Sequence, residues 1–108
     1  FRAVTEATYA VVQKGLMELG LIESEEEYRR YLPHGIAHHI GLDVHDPGLY
    51  ENLAPNMVIT VEPGIYIPEE GLGIRLEDDV VVQPSGAPFN LMANIPIEAE
   101  EIETLMNA

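Results

Sequence analysis

Two stretches of alternating side chains constrain the fold of this chain most strongly. Met57–Ile67 and Ile74–Gln83 each place mainly apolar residues on one side and more polar residues on the other. This period of two is typical of a β-strand with one buried face. The connection between them contains Pro68, Gly71 and Gly73, which are common turn residues. The sequence therefore predicts an antiparallel β-hairpin built from these two stretches.

Helical patterns precede and follow the hairpin. Residues Phe1–Leu19 repeat apolar side chains at helical spacing. This predicted stripe consists of Val4, Ala7, Val11, Val12, Leu16 and Leu19. Ser24 and Glu27 have the spacing of a capping box, which predicts a second, short helix that ends before Pro33. Glu98–Met106 is predicted as a short terminal helix, with Ile102 and Leu105 as its apolar contacts.

Composition excludes several classes of function. The 108 residues fit one domain, and 19 acidic against 5 basic side chains give a formal net charge of −14. Such a surface repels phosphate backbones, so we expect no nucleic-acid partner. No apolar run approaches the roughly 20 residues of a membrane span, so we expect no membrane partner. The absence of cysteine fits a reducing compartment, and we expect a cytoplasmic location.

The four histidines form the first candidate site. His34, His38, His39 and His45 all lie in a glycine-containing stretch between Pro33 and Asn56 that is predicted as loop with short extended pieces. A single histidine is usually structural or exposed. Four histidines so close together favour a metal-binding or catalytic role for at least some of them.

Two glutamates in the predicted strands form the second candidate. Glu62 and Glu77 each interrupt a run of β-branched and apolar residues, and Arg75 shares a strand face with Glu77. One interpretation is that these glutamates simply lie on a polar strand face that is exposed to solvent. If Glu62 lies opposite Glu77, however, the like charges destabilise the hairpin unless a cation lies between them. Two carboxylates and an imidazole suit Mn²⁺, Zn²⁺, Co²⁺ or Fe²⁺.

Four motifs together resemble the end of the aminopeptidase P and prolidase family of metallopeptidases. They are H-G-I-A-H at 34–38, I-G-L-D-V-H-D at 40–46, T-V-E-P-G-I-Y at 60–66 and G-I-R-L-E-D at 73–78. Their order and spacing make the match specific, although any one alone is weak. The resemblance implies an α+β fold, the C-terminal half of a pita-bread fold, with N-terminal helices packed on an antiparallel sheet.

The resemblance also implies a set of site residues. His38, Glu62 and Glu77 match metal ligands of the family, and Glu62 also matches the residue that touches the reactive water. His34 and His45 match residues on the substrate side. Arg75 matches an arginine that supports a ligand carboxylate. His39 matches no family ligand, and we expect it to be structural or exposed.

The resemblance implies two further metal ligands, both aspartates. In the family they lie upstream of the segment that matches the first helix of this chain, and nothing in residues 1–108 can replace them. We therefore expect residues 1–108 to be a C-terminal fragment of the catalytic domain, which lacks the upstream half that completes the site. The intact parent is expected to hold two divalent ions, with Mn²⁺ favoured and Zn²⁺ or Co²⁺ as alternatives. The fragment alone is expected to be inactive.

The implied activity of the parent is hydrolysis of the bond before proline, in a peptide with proline in its second position. The sequence leaves open whether the parent is an aminopeptidase or a dipeptidase. A non-catalytic protein-binding module of the same fold is the competing hypothesis. The expected partners are the peptide and the missing half of the domain. In the absence of that half, the strand face that would contact it is bare, so we also expect a further copy of the chain to cover it in a homo-oligomer.

Overall fold

The N-terminal part of the chain is helical. The computed structural model describes all residues, Phe1–Ala108. Helix α1 spans Arg2–Glu18, and a 3₁₀ helix spans Glu25–Arg30. The capping box is present, because the Glu27 carboxylate accepts hydrogen bonds from the Glu23 and Ser24 N–H groups, both at 2.8 Å. The second helix therefore begins and ends as predicted, although it is a 3₁₀ helix.

Five short strands follow, and they form two antiparallel sheets. The strands are β1 (Val58–Val61), β2 (Gly64–Ile67), β3 (Leu72–Arg75), β4 (Asp78–Val81) and β5 (Phe89–Asn90). One sheet has the order β1-β4-β5, and the other pairs β2 with β3. The predicted hairpin is thus present, but each of its two long strands is divided in the middle.

The division of the hairpin is a local break and not a shift of register. Val61 pairs with Asp78 before the break, and Gly64 pairs with Arg75 after it. The same register places Glu62 opposite Glu77. Pro63 explains the break, because it accepts a hydrogen bond from the Leu76 N–H at 3.3 Å but has no N–H to return one.

A fourth extended segment lies on the free side of β1. Within Ile36–Ile40, the Ile36 carbonyl accepts from the Glu62 N–H at 2.7 Å, and the His38 carbonyl accepts from the Thr60 N–H at 2.9 Å. His39 forms a β-bridge with Ile59. The histidine-rich stretch is therefore attached to the hairpin by backbone hydrogen bonds, which brings His38 beside the two glutamates.

The core consists of two small clusters. The larger cluster contains Leu16, Ile22, Tyr28, Tyr31, Leu32 and Ile36, and the smaller contains Phe1, Ile59 and Val80. The helical N-terminal part thus packs on the strands, since Ile65 and Ile67 of β2 contact the larger cluster and Phe1 joins Ile59 and Val80 in the smaller one. Only 12 of 108 residues are buried, which leaves much apolar surface exposed.

Two predicted packing patterns were wrong. Val11 on α1 is 73% exposed, Leu19 directly after α1 is 75% exposed, and Ala7 is exposed. The packed side consists of Val4, Tyr9, Val12 and Leu16, because the 3₁₀ helix covers only one edge of α1. Helix α2 (Ala99–Met106) is present, but all its residues are exposed, so the predicted contacts of Ile102 and Leu105 are not formed. No helix has the length and apolar character needed to cross a membrane.

Candidate metal centre and the cleft around it

Three side chains from separate parts of the fold converge on one point. His38 comes from the Ile36–Ile40 segment, Glu62 follows β1, and Glu77 precedes β4. One candidate ligand atom from each residue lies within 4.8 Å of the others. The strand pairing keeps the same register on both sides of the break at Pro63. The two glutamates therefore lie opposite each other, which contributes to this convergence.

The hydrogen bonds of His38 leave one ring nitrogen suited to a cation. Its Nδ1 lies 2.8 Å from the carbonyl oxygen of His39. A carbonyl only accepts, so Nδ1 carries the proton. Nε2 lies 2.8 Å from Oε1 of Glu62. With the proton on Nδ1, the lone pair of Nε2 faces a carboxylate oxygen, so a cation between them would bind to both. A ligand histidine whose other N–H donates to a carbonyl is typical of protein metal sites.

Arg75 supplies positive charge on the other side of the glutamates. Its Nη1 contacts Oε2 of Glu62, and its Nη2 lies 3.3 Å from Oε2 of Glu77. The Glu62 side chain is only 10% exposed, whereas that of Arg75 is 46% exposed. Burial of a carboxylate is costly without a counter-charge, so Arg75 stabilises the pair of glutamates in the absence of a cation.

Two of the three ligand candidates, His38 and Glu62, line an open cleft of about 370 Å³. It is lined by His34, Gly35, Ala37, His38, His45, Glu62, Tyr66 and Arg75. The exposed ring of His45 lies with its centroid 4.4 Å from that of His38. The cleft thus contains the two histidines expected on the substrate side, next to His38 and Glu62.

Tyr66 is a cleft residue that the sequence analysis missed. Its hydroxyl lies 2.9 Å from Nε2 of His34. Because Nδ1 of His34 lies 2.6 Å from the carbonyl oxygen of Gly35, Nδ1 carries the proton, and Nε2 of the neutral ring accepts from Tyr66. The alternating pattern of Met57–Ile67 places Tyr66 on the same strand face as Glu62. This pattern could have identified Tyr66 as a site residue.

His39 lies outside the cleft. Its Nε2 lies 2.9 Å from the carbonyl oxygen of Leu49, and its ring packs against Phe1 and Tyr50, with centroids 4.7 Å and 5.1 Å away. This histidine therefore fastens the loop that follows it, in agreement with the structural role expected from the sequence.

Comparison with known proteins assigns the family. Residues 1–84 match the Peptidase_M24 family, described as Metallopeptidase family M24. The chain belongs to this family. It is also 40% identical to the Xaa-Pro aminopeptidase of Escherichia coli (strain K12), in an alignment that covers 97% of this chain and 28% of that protein. The M24 relationship implies a divalent metal, which fits the group of His38, Glu62 and Glu77.

Solved structures agree on the fold. A Bacillus anthracis protein assigned as an aminopeptidase P superposes with a TM-score of 0.94 at 46% identity, over 99% of this chain and 26% of its own. The aminopeptidase PepP of Pseudomonas aeruginosa gives a TM-score of 0.84 at 39% identity, over 95% of this chain and 28% of its own. The chain therefore has part of the pita-bread fold and spans little more than a quarter of the length of these relatives.

Proposed function

We propose that this chain supplies one side of a two-metal active site in an enzyme that hydrolyses the bond before proline at peptide N-termini. The observation that carries the proposal is the convergence of His38, Glu62 and Glu77 within 4.8 Å, with His38 and Glu62 lining an open cleft. The Xaa-Pro aminopeptidases among the relatives support the substrate class and favour an aminopeptidase over a dipeptidase.

We propose that the preceding part of the catalytic domain completes the site. The resemblance calls for two aspartate ligands from that part, and residues 1–108 would then form its C-terminal fragment. When bound, two divalent ions would provide a water of lowered pKa and polarise the scissile carbonyl. The mixed imidazole and carboxylate donors suit Mn²⁺, with Zn²⁺ and Co²⁺ as alternatives.

Glu62 would act as the general base and then as the acid. Its carboxylate faces the cleft, is largely buried, and lies among His38, Thr60 and Arg75. It would take a proton from the attacking water and pass it to the proline nitrogen that leaves. Glu77 would share a cation with Glu62, and Arg75 would hold both carboxylates in place through its two donors.

His45 and His34 would bind the substrate. His45 is exposed beside His38 and would donate to the carbonyl oxygen on which negative charge develops. Nε2 of neutral His34 accepts from Tyr66. Tyr66 would hold the His34 ring in a fixed orientation on the substrate side of the cleft.

We further propose a cytoplasmic enzyme that self-associates. The lack of cysteine suits a reducing compartment. Strand β3 is exposed along its whole length, with Ile74 58% and the adjoining Leu76 50% exposed. Such apolar side chains favour burial against the missing half of the domain or a further copy. The fragment alone, with an incomplete ligand set, would be inactive.

The test is a cleavage assay with the full-length enzyme that contains this chain. The substrates are a tripeptide with proline second, the same tripeptide with alanine second, and an Xaa-Pro dipeptide. We expect cleavage of the proline tripeptide only, loss of activity with a chelator, and recovery with Mn²⁺. Preferential cleavage of the dipeptide would make the enzyme a dipeptidase. No cleavage of any peptide, despite bound metal, would favour the non-catalytic binding module.

A further inference from the structure

We propose that Thr60 is a positioning residue whose hydroxyl fixes the Glu62 carboxylate relative to His38 and so sets both cation affinity and turnover. The proposal rests on the function proposed above. Thr60 has 0% exposure and, with Glu62, is one of the two polar or charged residues counted among the buried set. A buried hydroxyl is costly without partners, and the partners of this one are two members of the site.

The hydroxyl of Thr60 joins His38 to Glu62. It accepts a hydrogen bond from the His38 N–H at 3.1 Å and donates to Oε1 of Glu62 at 3.3 Å. Oε1 is also the atom 2.8 Å from Nε2 of His38. One hydroxyl therefore connects the backbone of one ligand candidate with the side-chain oxygen of another.

The position of Thr60 in the sheet explains this link. Thr60 pairs with Asp79 on β4, and the backbone hydrogen bonds to β4 run through the alternate set of pairs, to which Val82 and Met57 belong with a bond of 2.8 Å. The N–H of Thr60 is thus directed away from β4 and donates to the carbonyl of His38 at 2.9 Å. With the reverse bond to its hydroxyl, Thr60 holds His38 at two points.

The Glu62 carboxylate is therefore held from both sides. Thr60 holds Oε1, and Arg75 contacts Oε2. Without the hydroxyl, only Arg75 would orient the carboxylate, and its guanidinium also contacts Glu77. Glu62 would then turn away from His38, and the ligand atoms would no longer converge. Outer partners of metal ligands typically change metal affinity or activity ~10–100-fold when removed.

The test compares Thr60→Val, which lacks the hydroxyl, with Thr60→Ser, which keeps it. Thr8→Val is the matched control, because the Thr8 hydroxyl donates to the Val4 carbonyl at 2.9 Å in α1, away from the cleft. Each full-length variant is measured for Mn²⁺ affinity by calorimetry, for kcat and KM on a proline tripeptide, and for Tm. Thr60→Ala replaces Thr60→Val if the latter does not fold.

We expect Thr60→Val to weaken Mn²⁺ binding and lower kcat, each ~10-fold or more, with KM changed less than about threefold. Thr60→Ser and Thr8→Val should stay near wild type in affinity and kcat. Thr60→Val with near-normal affinity and kcat, or Thr60→Ser as impaired as Thr60→Val, would overturn the proposal. If the wild type binds Mn²⁺ but cleaves no proline peptide, the proposed function fails, and the affinities alone decide the role of Thr60.

Discussion

Glu62 and Glu77 occupy opposed positions of an antiparallel hairpin, and one guanidinium, that of Arg75, contacts both carboxylates. Like charges at such positions destabilise a hairpin. In the cation-free chain Arg75 offsets this repulsion. A divalent cation at the same point would offset it more strongly. The stability of the hairpin should therefore depend on which positive charge is available.

Arg75→Met tests this dependence. We expect the cation-free variant to lose about 1 kcal/mol of unfolding free energy, a value reduced because the Arg75 side chain is 46% exposed and so screened. Addition of Mn²⁺ should raise Tm more in the variant than in wild type, because the bound cation supplies the positive charge that the variant lacks between the two carboxylates. Thermal unfolding with and without Mn²⁺ measures both effects.

Arg2→Met is the control for that experiment. Arg2 forms an exposed ion pair with Glu6 in α1, and its side chain is 90% exposed. Its loss should change Tm little, and Mn²⁺ should shift the variant as it shifts wild type. Equal Mn²⁺ shifts in Arg75→Met and wild type would argue against a shared site for the cation and the guanidinium.

Glu62→Gln in the full-length enzyme tests the proton-transfer role. The amide has nearly the same shape but cannot take up the proton of the water. We expect kcat to fall by ~10²–10⁴-fold, the usual contribution of general acid–base catalysis. Steady-state kinetics at saturating Mn²⁺ separate this effect from weaker metal binding. Turnover near the wild-type rate with metal in place would refute the role of Glu62.

Gly64→Ala tests the packing of the cleft wall. A Cβ on Gly64 would lie 2.6 Å from the Tyr66 hydroxyl oxygen, so the ring must shift, which disturbs its hydrogen bond to His34. We expect a loss of about 1 kcal/mol of unfolding free energy and reduced turnover. Gly15→Ala is the counterpart in α1, where nothing lies within 4 Å. It should stabilise the chain by roughly 0.5–1 kcal/mol. A change in unfolding free energy of the same sign in both variants would contradict this expectation.

The capping box gives a pH-dependent contribution to stability. The N–H groups of Ser24 and Glu23 hold the pKa of Glu27 below its usual value of 4.5. A folded-state pKa below the unfolded one gives stability that is fully present above the unfolded value and is lost as pH falls through the folded one. The Tm difference between wild type and Glu27→Gln should therefore be larger at pH 6 than at pH 3. A difference independent of pH would exclude this charge effect.

The sequence predicted the parts of the site that depend on local alternation. The strand period of Met57–Ile67 and Ile74–Gln83 places Glu62 and Glu77 on polar strand faces, whereas their position opposite each other was only a condition until the structure gave the register. The attachment of His38 to β1 was not predictable in this way, because it depends on hydrogen bonds between segments distant in sequence. Tyr66 was missed for a related reason, since its partner His34 is 32 positions away.

Packing was less predictable than strand pairing. The apolar stripe assigned to α1 included Val11 and Leu19, which are exposed, because periodicity identifies apolar positions but not which of them another element covers. The same holds for α2, whose apolar residues have no neighbour to pack against. The division of the hairpin at Pro63 was readable in principle, since proline cannot donate to the ladder.

Metal titration of the 108-residue chain distinguishes a partial metal site from a complete one. We expect the chain to bind at most one Mn²⁺, weakly, because it holds three of the five expected ligands. That binding should disappear in His38→Ala and persist in His39→Ala, whose ring lies outside the cleft. A proline tripeptide, assayed alongside, should not be cleaved. Two tightly bound ions per chain, or clear cleavage of the peptide, would contradict the account.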